Sequence, residues 1–407
     1  MAACSADRNY GADLKVPHQK EALANALRCL EAIHGDDYRT ALTRIWVAEN
    51  LAYLGNQDQS VGILRGSGSH YLISYGCVET AMVLLGYGQD HAVRQTISLG
   101  LDFLPQTVGR GAELVQFQLL KMATVVGDNE GVQRAWAAQP LTQVDLKPAY
   151  LSFVQDWKPS LWNRLLNWLD PARHWPSLKK GSSRGVEIAW NAERAVDVFT
   201  ALLFLKEAES RIRRQESFPE HWIVFARAGA KSAAFNTRPA AIQAELAELE
   251  FLKGNTAEAL ELVSQAGKML QPWAPQMTGV YKIERDLALV LASLPDSGRV
   301  RGEFIHRLTK RLESLMGKTL APSEQMISLP LLAEAFHVLK EDSAARATWK
   351  KAAELCAQNQ NPETQAIGLT RIWMSYARAN SLPTPETKAL LGQIEKKLPE
   401  EYAKVHF

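Results

Sequence analysis

Ala240 to Trp273 reads AAIQAELAELEFLKGNTAEALELVSQAGKMLQPW, and its spacing decides the fold. Two apolar-periodic stretches flank Gly254-Asn255. Leu246, Leu249 and Leu252 share one helix face, and Leu260 and Val263 share a face of the next helix. Gly254 supplies a left-handed backbone that stops the first helix, and Asn255 is placed to cap the second. Ala247, Ala259 and Ala266 are small where two antiparallel helices must approach each other, and Phe251 sits near the end of the first. Pro272 closes the unit.

The same frame recurs. Met326 to Asn359 places Ala333, Phe336, Ala345, Trp349 and Ala352 at the matching positions, with Glu341-Asp342 standing for the Gly-Asn turn. Ala48, Gly55-Asn56, Ser60 and Leu64 repeat the offsets near the N-terminus. Further turns are expected at Gly88-Gln89-Asp90, followed by Ala92, and at Gly127-Asp128-Asn129. Gly55, Gly88 and Gly127 lie about one 34-residue period apart. A last pair runs through Ile372-Trp373 and Tyr376-Ala377, then Thr387 to Leu398. This pattern resembles the tetratricopeptide repeat (TPR) family, most clearly over 240–273 and 326–359. The resemblance implies an all-α superhelix, a solenoid of antiparallel helix pairs whose concave face holds a peptide or protein.

Composition agrees with a long helical array. The 407 residues are 46% hydrophobic, and no run of β-branched and aromatic residues alternates with period two. The middle breaks the frame: 140–185 holds five prolines and Trp157, Trp162, Trp168 and Trp175, ending in Lys179-Lys180-Gly181-Ser182-Ser183-Arg184-Gly185. The expected organisation is N-terminal helical repeats over 1–139, an irregular joint over 140–185 and C-terminal repeats over 186–407.

Charge excludes one class of partner. With 46 basic against 44 acidic side chains, the net charge of +2 gives no electrostatic footprint for nucleic acid. Cys4, Cys29, Cys77 and Cys356 are scattered without CxxC spacing, so neither a disulfide framework nor a zinc site is expected. That pattern suits a cytosol-like compartment. Met1 is not followed by a basic segment and an apolar run, and no stretch reaches the ~20 apolar residues of a membrane span. Ala2-Ala3-Cys4 resembles the end of a lipoprotein signal, which leaves lipid anchoring at Cys4 as the alternative.

Ala48-Glu49, Ala247-Glu248 and Ala333-Glu334 are one dipeptide at one repeat position. The family resemblance turns that position toward the groove, together with Phe251 and His337. Three carboxylates there would favour a basic or amine-bearing peptide; the plainer reading pairs each Glu with a nearby Arg. Repeats that clamp acidic chaperone tails carry Lys and Asn in the groove. Here Ala244, Glu248, Pro330 and Glu334 stand at those places, so a clamp of that kind is not expected.

Trp157, Trp162 and Trp168 are read as core, with a cleft or interaction hot spot as the alternative. Arg301, Arg307, Lys310 and Arg311 lie opposite Phe304, Leu308 and Leu315 on one helix and are read as a solvated face. Arg211, Arg213 and Arg214 end another helix and suit its dipole. The sequence holds no HExxH, GxSxG or P-loop, and catalysis, a cofactor and a metal are not expected. A ligand-gated regulator hinged at the joint, or an enzyme on a helical toroid with a Trp-lined cleft, are the competing readings.

Overall fold

The computed structural model describes residues 17–33, 38–107, 111–138, 150, 153–154, 157, 198–232, 237–271, 278–295, 297–317 and 321–405. The elements among them are 17 α-helices and a 3-10 turn at Leu104–Gln106. The protein is all-α over these residues, and no described helix is long and apolar enough to cross a membrane.

Packing contacts divide the chain into two compact units. One comprises 1–63 and 272–407, the other 64–271. These limits cut across the expected 1–139, 140–185 and 186–407 blocks, because the N-terminal helices pack on the C-terminal ones. Most of 140–185, with Trp162 and Trp168, lies outside the described residues.

The discontinuous unit holds α1 (Pro17–Glu31), α2 (Tyr38–Tyr53) and most of α3 (Gln57–Arg65). From the other end of the chain come α12 (Thr278–Ser293), α13 (Gly298–Met316), α14 (Pro322–Val338), α15 (Asp342–Gln358), α16 (Pro362–Ala379) and α17 (Pro385–Val405). Here α14 packs against α12, α13, α15 and α16, and α16 packs against α14, α15, α17, α1 and α2. Such helices are covered by neighbours on most of their surface. Accordingly α14 and α16 are buried nearly all round, whereas α15 buries one stripe, Ala345, Thr348, Trp349, Ala352, Ala353 and Cys356 among it. Polar contacts tie α1 to the C-terminal helices: Lys388 Nζ meets Glu21 Oε1 at 2.6 Å, and Gln19 Nε2 donates to the Ala377 carbonyl at 3.2 Å.

The continuous unit holds α4 (His70–Gly86), α5 (Asp90–Phe103), α6 (Ala112–Val125) and α7 (Asn129–Ala137). It continues with α8 (Val198–Arg213), α9 (His221–Ser232), α10 (Arg238–Leu252) and α11 (Thr256–Leu270). The α4/α5, α6/α7, α8/α9 and α10/α11 pairs pack as neighbours, and α8 also meets α4, α6 and α10. Trp157 is buried against this unit's aromatic residues. It is 5% exposed and stacks on Trp222 at 4.3 Å, with Phe204 at 5.6 Å.

The turns follow the sequence in part. Gly254 takes φ 84° between α10 and α11, and Gly55, Gly88 and Gly127 take similar values. Between α14 and α15 the left-handed residue is Lys340, at φ 62°, and Glu341 takes the N-cap. The turn therefore begins one residue before the expected Glu341-Asp342, at a cost of about 1 kcal/mol that glycine avoids. Asn255 holds the N-cap position of α11, but its side chain does not cap. Its Nδ2 donates to Glu250 Oε2 at 2.6 Å, because a buried carboxylate needs a donor more than an accessible helix end does.

Candidate functional site

Ala48, Ala247 and Ala333 are fully buried. A methyl group at these points brings neighbouring helices close, and the Glu that follows meets a cation from another helix. Glu49 accepts from Lys282 Nζ of α12 at 2.8 Å. Glu334 faces Arg378 Nε of α16 at 3.1 Å and Arg285 Nη1 of α12 at 4.0 Å. Glu248 meets Arg213 Nη2 of α8 at 3.3 Å.

In the discontinuous unit these pairs form one network across α2, α12, α14 and α16. Arg285 also donates to Asp286 Oδ1 at 2.6 Å. Arg378 donates to Asn50 Oδ1 at 2.5 Å, and its guanidinium lies 4.0 Å from the Tyr53 ring centroid. Two turns earlier on α16, Arg371 lies 4.7 Å from the Trp46 ring centroid. Trp46 and Tyr53 are seven apart on α2, as Arg371 and Arg378 are on α16, so the helices present two parallel cation–π rungs.

The rungs differ in their partners. Arg378 has Glu334 and Asn50. Arg371 is 6% exposed and makes no hydrogen bond or ion pair among the described residues; the Nε of both arginines is shielded from solvent without a hydrogen bond, but Arg378 has the Glu334 carboxylate beside it. Burial draws its pKa down to about 10, against the weak support of Glu49, whose carboxylate already holds Lys282. Elsewhere in the network, burial raises Glu334, and Arg378 and Arg285 recover only part of that rise. For Asp286 burial acts upward too, but Arg285 and then Arg378 outweigh it and hold the carboxyl low. Lys282, Arg285, Arg371 and Arg378 thus oppose Glu49, Asp286 and Glu334. Among these described groups the excess is cationic, and the cations that meet the carboxylates come from helices remote in sequence.

The continuous unit shows the reverse balance. Lys206 Nζ meets Glu209 Oε2 at 3.0 Å and also contacts Glu245. Glu209, Glu245 and Glu248 each bring a carboxylate oxygen within 4.8 Å of the others. That spacing suits a divalent cation, but the Lys206 ammonium already stands among the carboxylates. Gly86 makes room for it: a β-carbon there would lie 2.8 Å from Lys206 Cδ. The Gly86 carbonyl accepts from Arg213 Nε at 3.2 Å. Desolvation works to lower the pKa of the half-buried Lys206, but Glu209, Glu245 and Glu248 outweigh it and hold it well above the usual value. Burial likewise raises Glu209 well above the carboxylate range, and Glu248 and Glu245 add to this against Lys206.

Other expected residues are placed as follows. Phe251 is half-buried at the end of α10. His337 Nδ1 lies 3.1 Å from Asp342 Oδ1, and its ring is 5.7 Å from that of Trp349. The basic face of α13 is not wholly solvated. Arg311 Nε donates to the buried Glu284 of α12 at 3.3 Å, and Arg307 Nε lies 3.9 Å from the same carboxylate. Arg211 and Arg214 likewise meet side-chain carboxylates, Glu207 at 2.7 Å and Asp90 at 3.0 Å, rather than serving the helix end alone. Cys29, Cys77 and Cys356 are buried thiols held protonated by burial. Arg371 went unremarked in the sequence, although the matched seven-residue spacings signal it.

The chain matches no protein-family model, no curated protein and no solved structure.

Proposed function

We propose that the chain is a peptide- or protein-binding helical-repeat scaffold of TPR-like build, whose face across α2 and α16 takes an acidic group of its partner. The observation that carries this reading is Arg371. A guanidinium with a pKa of about 10 stays charged at neutral pH, and burying that charge without a counter-ion opposes folding. A partner carboxylate supplies the missing charge and accepts two parallel hydrogen bonds from the planar fork. Trp46 fixes the fork from below, so little side-chain freedom is lost on binding. Lys282, 40% exposed, adds a second positive group on the same network. The residues differ from those of the chaperone-tail clamp, so the partner is defined by its carboxylate and not by that family of tails.

This reading replaces the basic partner expected from the Glu positions. Fluorescence anisotropy with labelled acidic and basic peptides on the full chain tests it. Acidic peptides are expected to bind, and Arg371→Met is expected to weaken them at least tenfold. A preference for basic peptides that persists in the variant contradicts the reading.

A further inference from the structure

Glu49 stands between two cations. On α2 it follows Trp46 by three residues and precedes Tyr53 by four, so it borders the helix face that carries both cation–π rungs. Its Oε2 accepts from Lys282 Nζ of α12 at 2.8 Å. Arg371 is seated on Trp46, one helical turn from Glu49, and meets that carboxylate only through space. Of its three guanidinium nitrogens only Nε is shut off from solvent, so the end of the fork can be reached from outside.

The other two carboxylates of the network are committed. Asp286 accepts from Arg285 Nε at 3.0 Å and Nη2 at 2.6 Å, and Glu334 lies 3.1 Å from Arg378 Nε. Arg285 and Arg378 are buried, and a buried cation gives up its counter-charge only at a large penalty. Lys282 is 40% exposed, and water replaces what an exposed ammonium loses. Glu49 is therefore the carboxylate of this network that is released most easily. One turn along α2 from Trp46, it lies within a side chain's reach of the guanidinium that Trp46 carries.

We propose that Lys282 is a positioning residue: by holding Glu49 toward α12 it keeps that carboxylate off Arg371 and leaves the guanidinium for the partner's acidic group. This rests on the reading that Arg371 takes such a group. Without the Lys282 charge, Glu49 turns to Arg371, supplies the counter-ion from within the chain and closes the site.

Two measurements on the full chain test it. The first needs no ligand. Arg371→Met is expected to raise the urea unfolding midpoint of the parent and to lower that of Lys282→Met, where it removes a paired charge. Adding Glu49→Gln to Lys282→Met is expected to return the parent's response. An equal midpoint shift in the parent and in Lys282→Met overturns the proposal. The second measurement is the anisotropy of a fluorescein-labelled hexaglutamate peptide. Lys282→Met is expected to weaken it about tenfold, as when only about a tenth of the molecules keep the site open. Lys282→Arg keeps the charge and is expected to bind within about twofold of the parent, and Glu49→Gln is expected to restore binding to Lys282→Met within the same margin. A loss that Glu49→Gln fails to restore overturns the proposal and makes Lys282 a direct contact. No binding of hexaglutamate to the parent refutes the acidic-partner reading, while the midpoints still decide whether Lys282 controls Glu49.

Discussion

In the discontinuous unit four cations face three carboxylates across α2, α12, α14 and α16; in the continuous unit Lys206 and Arg213 face Glu209, Glu245 and Glu248. The two clusters carry opposite excess, and the chemistry of the odd group decides what becomes of it. A buried carboxylate in excess takes up a proton, as the raised pKa of Glu209 signals. A guanidinium has no such release at neutral pH, so Arg371 keeps its charge with no ion-pair partner among the described residues. Among the described residues one cluster thereby relieves its excess by itself, and in the other the excess stays on Arg371.

Removing a needed counter-charge gives the largest expected effect. Glu334→Gln leaves Arg285 and Arg378 buried without their shared carboxylate and is expected to cost about 3–5 kcal/mol. Urea unfolding followed by tryptophan fluorescence measures it; a loss below about 1 kcal/mol would show that the cluster is more open to water than its geometry indicates.

The corresponding change in the other unit is milder. Lys206→Met leaves three carboxylates together, but they relieve their repulsion by protonation. A loss of about 1–3 kcal/mol near pH 7 is expected, shrinking as the pH is lowered. A deficit that stays constant from pH 8 to pH 4.5 would mean that proton uptake does not rescue the trio.

Glu209→Gln gives the smallest change and isolates the proton. Because Glu209 is raised in the folded state, its contribution is complete below the ordinary carboxylate pKa and is lost as pH rises through the raised value. The variant is therefore expected to match the parent near pH 4 and to be up to about 1 kcal/mol more stable near pH 8. Unfolding curves in which the variant is less stable at pH 8 would make the Glu209 carboxylate a net stabiliser, and the two clusters would no longer contrast.

Much of the hairpin architecture was legible in the sequence because its signals are local. Gly254 and the small residues Ala247 and Ala259 mark a turn and a helix contact within one short stretch. The turn at Lys340 was displaced by one residue because a strained left-handed lysine has no compositional mark. The pairing of chain ends was not legible, since α1 meets α16 through contacts remote in sequence. The same reason hid the cations that meet the Ala-Glu carboxylates. Glu49 was visible as a helix-face carboxylate, but Lys282, which neutralises it, lies on α12. Arg371 drew no notice because the matched seven-residue spacings of Trp46/Tyr53 and Arg371/Arg378 gain meaning only once α2 and α16 are known to pack.

The most direct test is the unfolding free energy of Arg371→Met without and with an acidic peptide. If Arg371 is a buried charge held for a partner, the variant alone is more stable than the parent by about 1–3 kcal/mol, in line with replacement of a poorly compensated buried charge by an apolar side chain. The acidic peptide then stabilises the parent and not the variant. A variant that is less stable than the parent without peptide, and that is stabilised equally by it, would contradict this and make Arg371 a structural residue like Arg378.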